Sequence, residues 1–261
     1  MTTVLCAAQW QGSASEKAPL LAPGALRTAG LLRADAVVMV PIGQGSGEIV
    51  DGVRDREVLI ENFQAIGEKL AGIDDFVLTV GGDCAVDIAP IVAARQRYGD
   101  ELTVLWIDAH PDVYGPGELP SGAFHAMVVR TLLGDGPAAL TPARMLAPAQ
   151  VILAGIRAGG DSERDYLRKT GLRVHGVDDL EKAFDGLSGP VYVHFDLDVL
   201  DPAEFGSVGY PEPGGPRFSR LAELVSGLDN VVGAAITEHA PSGDNPAEAE
   251  MIRRLGDALS R

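Results

Sequence analysis

Two kinds of segment alternate along the chain. Runs that are apolar at nearly every position recur eight times: VLCAAQW (4–10), AVVMVPI (36–42), FVLTVGG (76–82), LTVLWIDA (102–109), QVILAGI (150–156), LRVHGV (172–177), VYVHFDLD (191–198) and VVGAAIT (231–237). Between several of them, apolar residues return every three or four positions, as in DREVLIENFQAIGEKL (55–70), AVDIAPIVAARQRYG (85–99) and SRLAELVSGL (219–228). The first kind reads as strands buried on both faces, the second as helices with one apolar face. A last helix is predicted over NPAEAEMIRRLGDAL (245–259), with Asn245 as N-cap and Pro246 in the first turn, where a missing N–H is harmless. Strands alternating with helices predict one α/β domain over residues 1–261, its mostly parallel sheet covered on both sides. A closed eight-stranded barrel is the competing architecture.

In either arrangement the functional edge lies at the carboxyl ends of the strands. Four strands run into carboxylates there: Asp83, Asp108 followed by His110, Asp196 followed by Asp198, and Glu238. Residues two apart in an extended segment share a face, so Asp108 with His110, and Asp196 with Asp198, can each face one cation. Carboxylates crowded at one edge repel unless divalent cations neutralise them. Mostly oxygen donors with some imidazole suit Mn²⁺ or a similar hard ion better than a structural zinc. Taken singly, each Asp has the ordinary alternative of capping the next helix. Four of the five histidines, His110, His125, His194 and His239, fall in these same segments, and only His175 lies elsewhere.

Charge narrows the partners. Thirty-seven acidic against 21 basic residues give a net charge of −16, which argues against nucleic acid and anionic membrane surfaces. No apolar run approaches the ~20 residues a membrane span needs. The opening MTTVLCAAQW has no basic stretch before its apolar part, so no secretory leader is expected. Cys6 and Cys84 alone make no disulfide framework, and a cytoplasmic location is the resulting expectation.

The segments GGDCAVD (81–87), DAHPD (108–112), SGAFHAM (121–127), FDLDVLDP (195–202) and TEHAP (237–241) resemble, in order and spacing, the signatures of the arginase/agmatinase family, the ureohydrolases. The resemblance implies a three-layer α/β/α fold with an eight-stranded parallel sheet, two Mn²⁺ ions, and trimers or hexamers. By the same resemblance Asp108 and Asp196 bridge the ions, Asp112 serves one of them, and His110 and Asp198 serve the other. Water between the ions would then be acidic enough to attack a guanidinium or amidine carbon. Glu238 would hold the cationic nitrogens of the substrate, and His125 would carry a proton to the leaving amine. On the residues alone, His125 could equally open the helix HAMVVRTLLG, and Glu238 could equally end its strand.

The sequence departs from the family in two places. Cys84 stands where the family places a histidine on the ion shared with Asp112; a thiol suits Mn²⁺ poorly. That position is therefore weak, filled by a softer ion, or not a ligand site. Tyr114 stands where arginases place an Asn to read the amino-acid carboxylate. GIRAGGDSE (155–163) has acids only at Asp161 and Glu163, with Gly159 and Gly160 before them, where arginases read the α-amino group; Ser121 is retained. The expectation is a metal-dependent hydrolase of a small cationic guanidino or formimino compound other than L-arginine. Agmatine, guanidinobutyrate and formiminoglutamate are the candidates, with Arg157 as a possible carboxylate reader for the last. The alternative is a family member with an incomplete metal site, kept for binding or assembly. His194 shares the face of Asp196 and could support it. YPEPGG (210–215) either lines the site or only connects.

Overall fold

The computed structural model describes residues 1–260. β1 (Thr2–Ala7) leads through α1 (Ala18–Leu31) to β2 (Ala36–Met39), and a small hairpin of β3 (Ile49–Val50) and β4 (Val53–Arg54) precedes α2 (Arg56–Leu70). There follow β5 (Phe76–Gly81), α3 (Ile88–Tyr98), β6 (Thr103–Ile107), α4 (Val128–Leu132), β7 (Val151–Ala154), α5 (Asp161–Thr170) and β8 (Arg173–His175). β9 (Val191–Asp196), α6 (Phe218–Ser226), β10 (Val231–Thr237) and α7 (Pro246–Leu259) complete the order. Eight strands pair in the order β2-β1-β5-β10-β9-β6-β7-β8, each parallel to its neighbours. β2 and β8 are free edges, so the sheet is open and the barrel is excluded.

Strand alternation explains the continuous apolar runs. Val104 and Trp106 of β6 pack with Leu59 of α2, Ile91 of α3, Val128 of α4 and Tyr166 of α5. Leu105 and Ile107, on the opposite face, pack with Ala25 of α1, Leu221 of α6 and Leu255 of α7. Both faces of the strand are therefore covered, and the architecture is helix, sheet, helix. β2 is largely exposed and stops at Met39, ahead of Pro41, which has no N–H to give a ladder.

α7 begins as predicted. The Asn245 side chain accepts from the N–H groups of Ala247 and Glu248 at 3.1 and 3.3 Å, and Pro246 opens the helix. α1 has a proline in its first turn but no side-chain cap, and Pro23 and Gly24 lie inside it. What holds α1 is packing. Ala18 and Leu21 bury against Ala240, and a Cβ at Gly24 would lie 1.7 Å from the carbonyl oxygen of His239. Only glycine permits that approach. Among the described residues no helix is long and apolar enough to cross a membrane.

Candidate active site

β5, β10, β9 and β6 are consecutive in the sheet, so the four strands that run into acids deliver them to one stretch of its carboxyl edge. His110 Nδ1 lies 3.1 Å from Asp198 Oδ2 and 3.5 Å from Asp108 Oδ1. The Asp108 carboxylate is fixed further by the His110 N–H (2.6 Å) and by Trp106 Nε1 (3.0 Å). Asp196 accepts from the Asp198 N–H at 2.7 Å and from the Cys84 thiol at 3.0 Å. Cys84, Asp108, His194 and Asp196 each place one ligand atom within 4.8 Å of the others, and Asp108, His110 and Asp198 form a second such set. Asp108 belongs to both sets, as a bridging carboxylate must. Cys84, His125 and Glu238 make a third set.

Asp112 lies outside those sets but lines the same cavity, and its Oδ2 is buried with no partner. Asp83 plays another part. It is fully buried and accepts from Gln9 Nε2 (2.9 Å), the Gly12 N–H (2.9 Å) and the Ala85 N–H (3.0 Å). That acid is a structural cap, which is the ordinary role of an Asp after a strand. His239 is likewise structural, with Nδ1 2.8 Å from Thr28 Oγ1 of α1.

Electrostatics show what the cluster requires. Burial, then the charges of Asp198 and Asp108, push the Asp196 carboxyl well above the usual range; burial and Asp108 do the same to Asp112. Burial lifts Asp198 to about 6 although His110 opposes it. Burial disfavours the charged form of His110, but Asp198 and Asp108 outweigh it and raise its pKa. Burial and surrounding carboxylates also keep Cys84 protonated. Protons hold together a set of groups that divalent cations would neutralise better. Oxygen donors, one or two imidazoles, a thiol and the orphaned Asp112 Oδ2 form a donor set that fits such cations.

Glu238 and His125 face this cluster as a pair. His125 Nδ1 is 3.3 Å from Glu238 Oε1, which also accepts from the Cys84 N–H at 3.3 Å. Glu238 Oε2 is buried and unpartnered. Burial disfavours His125 protonation, but the Glu238 carboxylate outweighs it and raises the imidazole pKa. Asp112 and Glu238 both hold left-handed backbone, φ 52° and 63°, which costs about 1–3 kcal/mol each at a non-glycine residue. Glu238 is held there by its N–H, which donates to the Gly82 carbonyl at 2.7 Å.

The sequence model of the arginase family matches residues 3–257. This chain belongs to the arginase family. An arginase of Coccidioides posadasii (strain C735) is 30% identical over 216 residues, covering 70% of this chain and 67% of its own length. An agmatinase of Citrobacter koseri is 30% identical over 204 residues, covering 76% of this chain and 63% of its own. The crystal structure of arginase from Bacillus subtilis superposes with a TM-score of 0.85 at 21% identity, over 100% of this chain and 97% of that one. Proclavaminate amidino hydrolase from Streptomyces clavuligerus does so with a TM-score of 0.72 at 22% identity, over 99% and 90%. The family is one of ureohydrolases, which act on C–N bonds.

The outer half of the site is built from other residues than its acidic floor. The cavity measures about 200 Å³, and beyond the clustered acids its wall is Tyr114, Leu119, Ser121, Ala123, Ala126 and Tyr210. Tyr210 settles the role of YPEPGG: its ring stacks on His125 with centroids 5.2 Å apart, and Glu212 comes within 3.7 Å of His110 Nε2. No spacing in the sequence announces this loop. The Tyr114 hydroxyl fills the space that any side chain at position 160 would need. Asp161 is exposed and paired with Arg164 at 2.6 Å. Glu163 lines the cavity, but its oxygens accept from the Val113 and Gly160 N–H groups at 3.2 and 2.9 Å. Arg157 does not line it. Its Nη groups donate to the carbonyls of Gly155, Asp198, Leu200 and Glu212, so the expectation that it reads a substrate carboxylate is withdrawn.

Proposed function

We propose that this chain hydrolyses a linear guanidino or amidine compound with a neutral or ammonium tail, as an agmatine-like substrate has, using two divalent metal ions. The observation that carries the reading is two overlapping ligand sets that share Asp108, with Cys84, His110, Asp196 and Asp198 from them lining one cavity beside His125, the partner of Glu238. Asp108, His110 and Asp198 would hold the ion at the oxygen-rich position, for which Mn²⁺ is suited, and Asp196, Cys84 and Asp112 would face the other. Such ions, when bound, lower the pKa of water toward neutrality.

The protein's own groups do the rest. The Oε2 of Glu238 is a buried acceptor with no partner, suited to the N–H groups of a guanidinium. His125 sits one hydrogen bond from that carboxylate and can pass a proton to the departing amine. Tyr210, stacked on His125, limits ring rotation and helps exclude water. No Lys or Arg lines the cavity among the described residues, whereas Asp112, Glu163, Asp196 and Asp198 do. A tail bearing carboxylate would find no lysine or arginine to pair with and four acids beside it. That disfavours L-arginine, guanidinobutyrate and formiminoglutamate against amine-tailed guanidines.

A competition series tests this. Product release from agmatine-like alkylguanidines, L-arginine and guanidinobutyrate is measured with Mn²⁺ present. The expected order is amine-tailed first, with L-arginine poorer by on the order of a thousandfold, because unpaired polar groups on a zwitterion forfeit several kcal/mol. Equal kcat/KM for L-arginine would overturn the substrate assignment.

A further inference from the structure

Strand β9 carries a buried histidine that the proposed hydrolysis does not use. His194 is fully buried two residues before Asp196 and on its face of the strand. Its Nδ1 is 2.8 Å from Asp87 Oδ2, and Asp87 also accepts the Tyr192 hydroxyl. A carboxylate so placed accepts a hydrogen bond from Nδ1–H and so leaves the lone pair on Nε2. The neighbour of Nε2 is Thr237 Oγ1 at 3.4 Å, long for a hydrogen bond. Trp106 fixes the ring by stacking 3.4 Å from it at an interplanar angle of 4°, and holds Asp108 through Nε1.

One nitrogen of His194, Cys84 Sγ and an oxygen each of Asp108 and Asp196 lie within 4.8 Å of one another. Atoms bound about 2.0–2.3 Å from a tetrahedral ion are about 3.3–3.8 Å apart, so small side-chain shifts close the set. The orphaned Asp112 Oδ2 is a second sign of a ligand here, on the cavity wall that Cys84 and Asp196 share.

We propose that His194 supplies, from the neighbouring strand, the imidazole that position 84 lacks, so that one ion is held by Cys84, His194, Asp108 and Asp196, with Asp112 facing it from the same cavity wall. Asp87 orients the ring. The imidazole lies on β9 and the thiol follows β5. Sulfur, nitrogen and two carboxylates favour Zn²⁺, Fe²⁺ or Co²⁺ over Mn²⁺ at this position, while His110 and Asp198 keep the harder neighbour. The proposal rests on the metal-hydrolase reading for its purpose, but its test needs no substrate.

Full-length protein, stripped of metal, is titrated with Co²⁺ alone. The unaltered protein should show a thiolate-to-Co²⁺ charge-transfer band in the near ultraviolet. His194→Gln should keep that band but bind the ion at least about tenfold more weakly, and Asp87→Asn should weaken it by about 10–100-fold. A histidine with only a structural role would lower the melting temperature of metal-free protein without changing Co²⁺ affinity or spectrum. That result, or absence of the thiolate band, overturns the proposal. If His194→Gln does not fold, X-ray absorption of the unaltered protein with one equivalent of Zn²⁺ decides: sulfur with imidazole supports it, and either one missing overturns it. Loss of hydrolysis with this signature intact would count against the proposed function alone.

Discussion

Asp112 concentrates the tension between stability and chemistry in this site, and Asp112→Asn tests it. Its Oδ2 is buried with no partner, and the negative charges of Asp108, Glu163 and Asp198 surround it. Its main chain is held independently, since its carbonyl accepts from the Val129 and Arg130 N–H groups at 3.0 and 3.4 Å. Asn tolerates the left-handed backbone and sets an N–H donor among those carboxylates. Relieving one unsatisfied buried polar group is worth about 1–3 kcal/mol. At about 2–4 °C per kcal/mol for a chain of this size, metal-free Asp112→Asn should melt about 2–12 °C above the unaltered protein. Metal reverses the advantage. An ion at 100 times its Kd adds about 2.7 kcal/mol to the protein that binds it, and the substituted protein has lost a ligand. Calorimetry after chelation and dialysis, with and without Mn²⁺, reads both effects. If the variant melts below the unaltered protein without metal, or gains as much from Mn²⁺, the assignment of Asp112 as a strained ligand is wrong.

Asp108→Ala should remove metal from both positions, because Asp108 belongs to both ligand sets; elemental analysis finding one ion still bound would contradict a bridge. His239 is buried, and burial lowers its pKa from 6.5 to about 4. Unfolding therefore takes up a proton, and the stability His239 contributes is full above about pH 6.5 and falls by about 3 kcal/mol toward pH 4. Asp112 and Asp196, with raised pKa values, act in the opposite sense, so the difference between the unaltered protein and His239→Asn across that window is the measure. Gly24→Ala drives a methyl into the His239 carbonyl and should destabilise the fold by about 1–3 kcal/mol while lowering kcat through the adjacent Glu238; a silent substitution would show that α1 does not position that loop.

The sheet was legible because strands buried on both faces leave uninterrupted apolar runs, and the acid-tipped ends of β5, β6, β9 and β10 announced the edge. α1 was not, since Pro23 and Gly24 argue against a helix and only its packing on the Glu238 loop supports one. For Asp83 the sequence offered both a ligand and a cap, and the partners that decide for the cap, Gln9 and Gly12, lie more than 70 positions away. Arg157 was misread for a related reason: the four carbonyls that occupy it belong to the backbone and leave no trace in residue identity. Tyr210 enters through a loop without periodicity. The pairing of His194 with Asp87 spans 107 positions, so the sequence showed the histidine without the carboxylate that orients it.

Trp106 gives the site an optical voice. The chain has two tryptophans, and this one is fully buried, donates to Asp108 and stacks on His194, while Trp10 is half-buried near the start of the loop after β1. Any ion that draws Asp108 or His194 toward itself alters the hydrogen bond and the ring stack that set the indole's emission. With Trp10→Phe the remaining fluorescence comes from one chromophore touching the ligand sets. Occupancy can then be followed by light, in real time and without a substrate.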